Sequence, residues 1–379
     1  MVAGGTGGHI FPALAVAEEL RRRGEHAGSP YEIEFVGTHR PLEARLIPAA
    51  GFRLRTVDAA GLKGIGGIQR LRNLLVLPRT AIEVARILRE FQPQVVVGVG
   101  GYLAGPVLLE AALANIPTIL IEPNARPGFT NRLLAPVVSA AAVGFEETAN
   151  LFGSKARVTG HPVRRAFFEI PVAQALLPVS AESQLEMAVP RPFTVLVVGG
   201  SQGSKAINQA VLDTLPPISV LVQPPRTIRI VHQTGERDYN EVSKAYQQRG
   251  DVAEVHAFID DMPGMLAQAD LVISRAGATA VAELAAAGKA SILIPFPGAT
   301  DQHQLENARA MEKAGAARVI VQSDLAPWPR GPELLANEIR SLVASPATLG
   351  RMETAARCLA RPDAAAIIAD MVEDFARRS

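Results

Sequence analysis

Three stretches of this 379-residue chain share one small-residue pattern: VAGGTGGH at 2–9, GVGGYLAG at 98–105 and VVGGSQGSK at 197–205. Each closes an apolar run and opens a segment with helical spacing. Such a turn presents backbone N–H groups at a helix start, where hydrogen bonds and the helix dipole favour an anionic ligand. Glycine matters there because a side chain would hold the ligand off the backbone. One turn of this kind can simply be tight strand-to-helix packing; three at strand ends in one chain are harder to dismiss as packing alone. His9 closes the first. An imidazole with an ordinary pKa of about 6.5 can accept a proton at neutral pH, so His9 is a candidate general base. Capping or packing of the loop is the plain alternative.

The stretch 270–307 is the richest in chemistry. LVISRAGATAVAELAAAG at 271–288 reads as a strand, an exposed helix start and a helix, with Glu283 about one turn in. A carboxylate there can accept from both hydroxyls of a ribose cis-diol, or can complement the helix dipole. SILIPFP at 291–297 ends another strand. Asp301, Gln302, His303 and Gln304 follow in a loop whose amides suit a sugar, or a solvated turn. The common nucleotide fingerprints do not fit. Ile10 stands where G-x-G-x-x-G needs its last glycine, and EFVGTHR at 34–40 ends without an acid for a ribose. GGSQGSKA is not a P-loop, since Ser204 precedes Lys205 and Ala206 follows it. NAD and ATP are disfavoured.

The elements that must carry these residues alternate. Short apolar runs at 32–37, 95–101, 117–122, 157–160, 194–200, 228–233, 271–274, 291–295 and 317–321 are separated by alanine- and leucine-rich stretches such as 12–24 and 280–288. Strand alternating with helix predicts an α/β protein with parallel sheets covered on both faces. Hydrophobic residues make up 48% and aromatics 5%, so the cores must be aliphatic. Prolines 171, 178, 190 and 192 interrupt a polar segment at 165–193, the expected boundary between two doubly wound domains, 1–165 and 166–356. A C-terminal helix, about 357–379, is free to pack back on the first. Ligands of such sheets sit beyond the carboxyl ends of the strands, which places the expected site in a cleft between the domains.

The bulk properties exclude other classes. With 38 basic and 37 acidic residues the net charge is +1, which makes no case for nucleic acid. The single Cys358 allows no internal disulfide and fits a reducing compartment. The N-terminal residues show no signal peptide, and no apolar run is long enough for a membrane span. Only Met1, Val2 and Ala3 precede Gly4, so the first strand is expected to be stunted or its start missing, and the pattern favours the second.

Taken together, GGTGGHIFPALAVA, VGVGGYLAGP, VVGGSQGSKAIN, FIDDM and the 270–307 stretch resemble the MurG family of bacterial peptidoglycan synthesis, in order from residue 2 to about 320. The resemblance implies a GT-B fold, two Rossmann-like domains facing each other across a cleft. It implies inverting transfer of N-acetylglucosamine from UDP-N-acetylglucosamine to the muramyl 4-hydroxyl of lipid I, giving lipid II on the cytoplasmic face of the membrane. Positions matching the family's donor-binding residues are Thr6, Gly7, Gly8, Asn124, Arg164, Ser201, Ile259, Ala278, Thr279, Ala280, Val281, Ala282, Glu283 and Gln304. In that picture Ile259 lies by the uracil, Glu283 on the ribose, Ser201 and the 278–283 helix start on the diphosphate, and Gln304 near the sugar. Two departures stand out, Pro123 beside Asn124 and His161 before Pro162-Val163-Arg164.

No cofactor and no bound metal are expected. Lys63, Arg70, Arg72, Arg79, Arg86 and Arg89, set around Leu71, Leu74, Leu75, Leu77 and Ile82, form a candidate contact for an anionic membrane, or an ordinary amphipathic helix. The rival readings are a GT-B enzyme with another lipid acceptor, a UDP-N-acetylglucosamine 2-epimerase, and a non-enzymatic sugar-nucleotide sensor.

Overall fold

The structure, a computed structural model, describes residues 1–58, 67–124, 126–170, 191–221, 227–249, 253–299, 302–325 and 330–378. The chain divides into two compact units, Met1–Arg165 with Arg361–Ser379, and Ala166–Ala360.

The first unit holds β1 (Glu34–Gly37), β2 (Arg53–Thr56), β3 (Val96–Gly98), β4 (Thr118–Glu122), β5 (Ala140–Val143) and β6 (Ala156–Val158). Pairing is parallel throughout, β1 with β2 and β3 to β6 in sequence. Val2 bridges Val36 on one side and Gly98 on the other, so the residues ahead of Gly4 join the two sets of strands. Phe35, Val97, Ile119, Ile121, Ala140 and Ala142 enter one core, while Val36, Val96, Leu120, Ala141 and Val143 enter another. Alternate residues of a strand point to opposite faces, so both faces of this sheet are buried. Helix Ala364–Ala376 adds Ile368, Ala369 and Met371 to the first core. It is pinned to helix Gly7–His26 by Arg23, whose Nη1 lies 2.7 Å from Asp370 Oδ1 and 3.3 Å from Glu373 Oε2.

The second unit holds β7 (Phe193–Val198), β8 (Ile228–Gln233), β9 (Ala253–His256), β10 (Leu271–Ser274), β11 (Ser291–Leu293) and β12 (Ala317–Val319). Its parallel sheet has the order β12-β11-β10-β7-β8-β9. The order reverses between β7 and β10, and in the first unit between Val2 and β3. Crossover connections leave opposite faces of the sheet at such a point, and a crevice opens there.

The apolar runs of the sequence are strands, although several are shorter than the runs. Strands β2, β5 and β9 were not legible. RLRT and AEVH lack an apolar run, and AAAV carries the residue with the highest helix propensity. The helix expected over 12–24 begins at Gly7, and that over 280–288 at Ala278. Of the basic-apolar stretch, helix Gly67–Phe91 is described, but Lys63 and the side chains of Arg70, Leu71, Arg72, Leu74, Leu75 and Leu77 lie outside the described residues, as does Asp301. Among the described residues no helix is long and apolar enough to cross a membrane.

Each unit buries a neutral histidine. In the second, Asn208 Nδ2 donates to the Thr234 carbonyl (3.0 Å) and to Asp238 Oδ2 (2.8 Å), which leaves its Oδ1 facing His232 Nε2 at 3.1 Å. The proton must therefore sit on Nε2, and Nδ1 accepts from the Tyr246 hydroxyl at 2.9 Å. In the first, both ring nitrogens of His161 are buried without a hydrogen-bond partner. Burial lowers the pKa of His161 and of His232 to about 3. The unfolded chain binds these protons at about pH 6.5, the folded chain only far below it. Stability is therefore lost as pH falls through about 6.5 and continues to fall toward about 3, by about 2 kcal/mol per histidine at about pH 5. Urea unfolding at neutral pH and at about pH 5 should show this loss, and His161→Asn should lessen it by about 2 kcal/mol.

Candidate active site

In the first unit the reversal point sets the turn Gly4–Gly8 beside the turn after β3. Gly5 has φ +110°, a conformation that side-chain-bearing residues rarely adopt. Thr6 is extended and caps helix Gly7–His26 without using its side chain. His9 follows in the first helical turn, half-exposed, with its Nδ1 buried and completing no hydrogen bond. Gly101 lies against the ring: a Cβ there would stand 3.4 Å from His9 Cε1 and 3.1 Å from the Gly4 carbonyl. Burial lowers the His9 pKa, with the Gly4 backbone acting in the opposite sense. The ring is therefore neutral at neutral pH, the state a base requires.

The loop after β4 is organised by Glu122, a buried carboxylate that sequence reasoning passed over. It accepts from Asn124 N and Nδ2 (both 2.9 Å), Gly128 N (2.9 Å) and Asn131 Nδ2 (2.8 Å). Burial raises its pKa, against the pull of those hydrogen bonds. Asn124 is thus fixed through its backbone N–H and one amide hydrogen, and its backbone carbonyl accepts from Thr148 Oγ1 at 3.0 Å. This leaves the side-chain Oδ1 and second Nδ2 hydrogen for a ligand. Asn131 also lies against Gly100, which links this loop to the turn that cradles His9. Arg164 stacks on Phe11 of the His9 helix, its Cζ 4.9 Å from the ring centroid.

In the second unit the turn Gly199–Gly203 follows β7, and helix Ala278–Ala287 follows β10. At Gly203 (φ +75°) a Cβ would collide with the Thr234 carbonyl, so the turn packs backbone on backbone. Two side chains unnoticed in the sequence tie the loops together. Buried Gln233, the last residue of β8, donates to the Gly200 carbonyl (3.0 Å) and accepts from Ile259 N–H (2.8 Å). Arg275, just past β10, donates from Nη2 to Ser204 Oγ (2.6 Å) and from Nη1 to the carbonyls of Ile294 (3.0 Å) and Pro295 (3.2 Å). The chain of contacts then reaches Phe296, whose N–H donates to Gln304 Oε1 at 3.0 Å. Ser201, Ile259, the helix start at Ala278 and Gln304 are thereby drawn onto one connected set of loops.

Charge and helix geometry sharpen that set. Burial lowers the Arg275 pKa to about 10. Among the described residues no carboxylate pairs with it. Its charge instead stands beside the glycine turn and a helix start that has no side-chain cap and no acid in its first turn. Glu283 is half-exposed and lies beyond that first turn, which removes the dipole explanation for it. A basic residue closing a strand before a glycine turn, and an amide closing another, were the sequence signals for Arg275 and Gln233.

Comparison with known proteins identifies the family. Residues 1–143 match the glycosyltransferase family 28 N-terminal domain and residues 194–368 the glycosyltransferase family 28 C-terminal domain. A relative from Anaeromyxobacter sp. (strain Fw109-5) is 45% identical over 379 residues, covering 100% of this chain and 93% of its own length. It is named UDP-N-acetylglucosamine–N-acetylmuramyl-(pentapeptide) pyrophosphoryl-undecaprenol N-acetylglucosamine transferase. The crystal structure of Acinetobacter baumannii MurG is similar at 30% identity and a TM-score of 0.69, over 99% of this chain and 98% of that one. A Neisseria meningitidis UDP-GlcNAc 2-epimerase shares the fold alone, at 16% identity and a TM-score of 0.65 over 98% and 99% of the two chains. This chain belongs to the family 28 glycosyltransferases.

Proposed function

We propose that the chain transfers N-acetylglucosamine from UDP-N-acetylglucosamine to the 4-hydroxyl of the muramyl sugar of lipid I, with inversion, forming lipid II. The observation that carries this reading is the charge of Arg275, uncompensated among the described residues, at the turn Gly199–Ser204 and beside the uncapped helix start. That combination suits a diphosphate. Around it, Ile259 would meet the uracil, Glu283 the ribose hydroxyls and Gln304 the sugar. Thr6, Gly7, Gly8, Asn124 and Arg164 are the donor contacts proposed for the first unit.

In the reaction the acceptor oxygen bonds to the anomeric carbon as the bond from that carbon to the diphosphate breaks. His9 takes the acceptor's proton, and the electron pair leaves with UDP. The charge growing on UDP is met by the backbone N–H groups at Ser201 and the helix start at Ala278, with Arg275 and Arg164 adding full positive charge. These groups are fixed before substrate arrives and lose little to reorganisation.

A lipid acceptor calls for a membrane-facing surface, and we infer one from the exposed apolar residues of the first unit. Helix Gly101–Leu113 packs between helices Gly67–Phe91 and Phe129–Leu134. These three elements expose Ile82, Leu109, Leu113, Phe129 and Leu133, with Arg89 and Arg132 nearby in sequence. Arg79 and Arg86 pair with Glu83 and Glu90 one turn on, which dilutes their charge. Apolar insertion therefore outweighs electrostatics in this proposed contact, and helices Gly101–Leu113 and Phe129–Leu134 extend it beyond the basic stretch read from the sequence.

Transfer of labelled sugar from UDP-N-acetylglucosamine to a short-chain lipid I analogue tests the proposal; sugar-nucleotide turnover without acceptor would overturn it. His9→Ala should lower kcat by about 10²–10⁴. The acid limb of kcat/KM should fall below about 6.5, because burial lowers the pKa of the base. Glu283→Ala should raise KM for the donor about 10-fold to 100-fold, the worth of one or two hydrogen bonds to a charged group. In flotation with anionic liposomes, the combined change Leu113→Ser, Phe129→Ser and Leu133→Ser should cut recovery about tenfold or more, while moderate salt cuts it less.

A further inference from the structure

Glu43 opens the helix Pro41–Ala49 and is fully buried. Its Oε1 accepts from the Gly5 N–H at 2.7 Å and from Thr38 Oγ1 at 3.0 Å, and its Oε2 accepts from the Thr38 N–H. On the opposite side of the same glycine, Arg40 Nη1 donates to the Gly5 carbonyl at 2.8 Å. Both polar groups of Gly5 are therefore held, at a φ that only glycine adopts readily. The seat is tight: a Cβ at Gly37 would come within 2.7 Å of Glu43 Oε2. Tyr102 also lies against the turn, its Cε1 4.0 Å from where a Cβ on Gly5 would stand.

The residues that follow Gly5 carry the chemistry. Thr6 begins the helix, Gly7 and Gly8 present its first N–H groups, and His9 N donates back to the Thr6 carbonyl at 3.0 Å. The orientation of the Gly5 peptide thus sets the direction of the first helical turn and of the imidazole on it. We propose that Glu43 is a positioning residue that, through the Gly5 N–H, holds the first glycine turn and with it His9 in the arrangement proton transfer needs. A carboxylate is required because every partner is a donor. Glutamine has nearly the same shape but must turn an N–H toward Gly5 N–H or Thr38 N–H. The catalytic part of this inference rests on the transferase reading above.

The test is a double-mutant cycle on the full chain with UDP-N-acetylglucosamine and a lipid I analogue. Glu43→Gln should lower kcat about 10²-fold. KM for the donor should stay within about threefold, since its main proposed contacts lie in the other unit. On a His9→Ala background the same change should cost less than about threefold, because the group it positions is gone. A loss of the same size on both backgrounds, or an unchanged kcat in folded Glu43→Gln, overturns the proposal. If Glu43→Gln does not fold, Thr38→Val removes only one donor from the carboxylate. It should lower kcat by up to about tenfold and again lose its effect without His9; no loss overturns the proposal. If the native chain transfers no sugar, the functional reading fails alone. The Gly5 amide proton resonance still decides the role of Glu43. It should lie downfield and move upfield in either variant, and an unmoved resonance overturns the proposal.

Discussion

Each candidate residue in both units depends on one constraint: the inward backbone groups of a strand-to-helix turn must be satisfied without filling the turn. A buried N–H or carbonyl left unpaired costs about 1–3 kcal/mol. A side chain on the turn itself would block the ligand. The fold resolves this by reaching in from a neighbouring element with a polar side chain. Glu43 holds Gly5 and Glu122 holds Asn124 and Gly128. In the second unit Gln233 joins Gly200 to Ile259, and Arg275 joins Ser204 to the end of β11.

The sign of these anchors differs between the units, and chemistry follows from it. In the first unit both anchors are carboxylates that accept from the turn, and neutral His9 sits beside one of them. Acceptors that fix the turn, with a neutral imidazole on the helix it opens, suit deprotonation of a hydroxyl. In the second unit the anchors are an amide and a guanidinium. Positive charge beneath a helix start suits an anion that gains charge as a bond breaks.

The price of building so much polarity into aliphatic cores falls on acid stability. His161 and His232 are neutral because burial makes protonation unfavourable. His232 is also locked in one tautomer by Asn208 and Tyr246. His161 has no such partners, and it occupies a position where the sequence departs from the resembled family.

The glycine turns and the alternation of strand and helix were legible in the sequence, because small residues at strand ends and aliphatic runs have local physical causes; the donor-binding candidates from Thr6 to Gln304 were named through the family resemblance. The poly-alanine strand Ala140–Val143 was not, since only burial between two packed faces overrides the helical preference of alanine. Nor were the anchors. Beyond closing a strand, nothing local marks Glu122, Gln233 or Arg275, and nothing at all marks Glu43, among the many polar residues of the chain. Their roles arise when parallel pairing brings strand ends together and leaves particular backbone groups unpaired. Local composition determined where turns and elements form; tertiary pairing alone decided which distant side chain completes each turn, because that depends on which strands become neighbours.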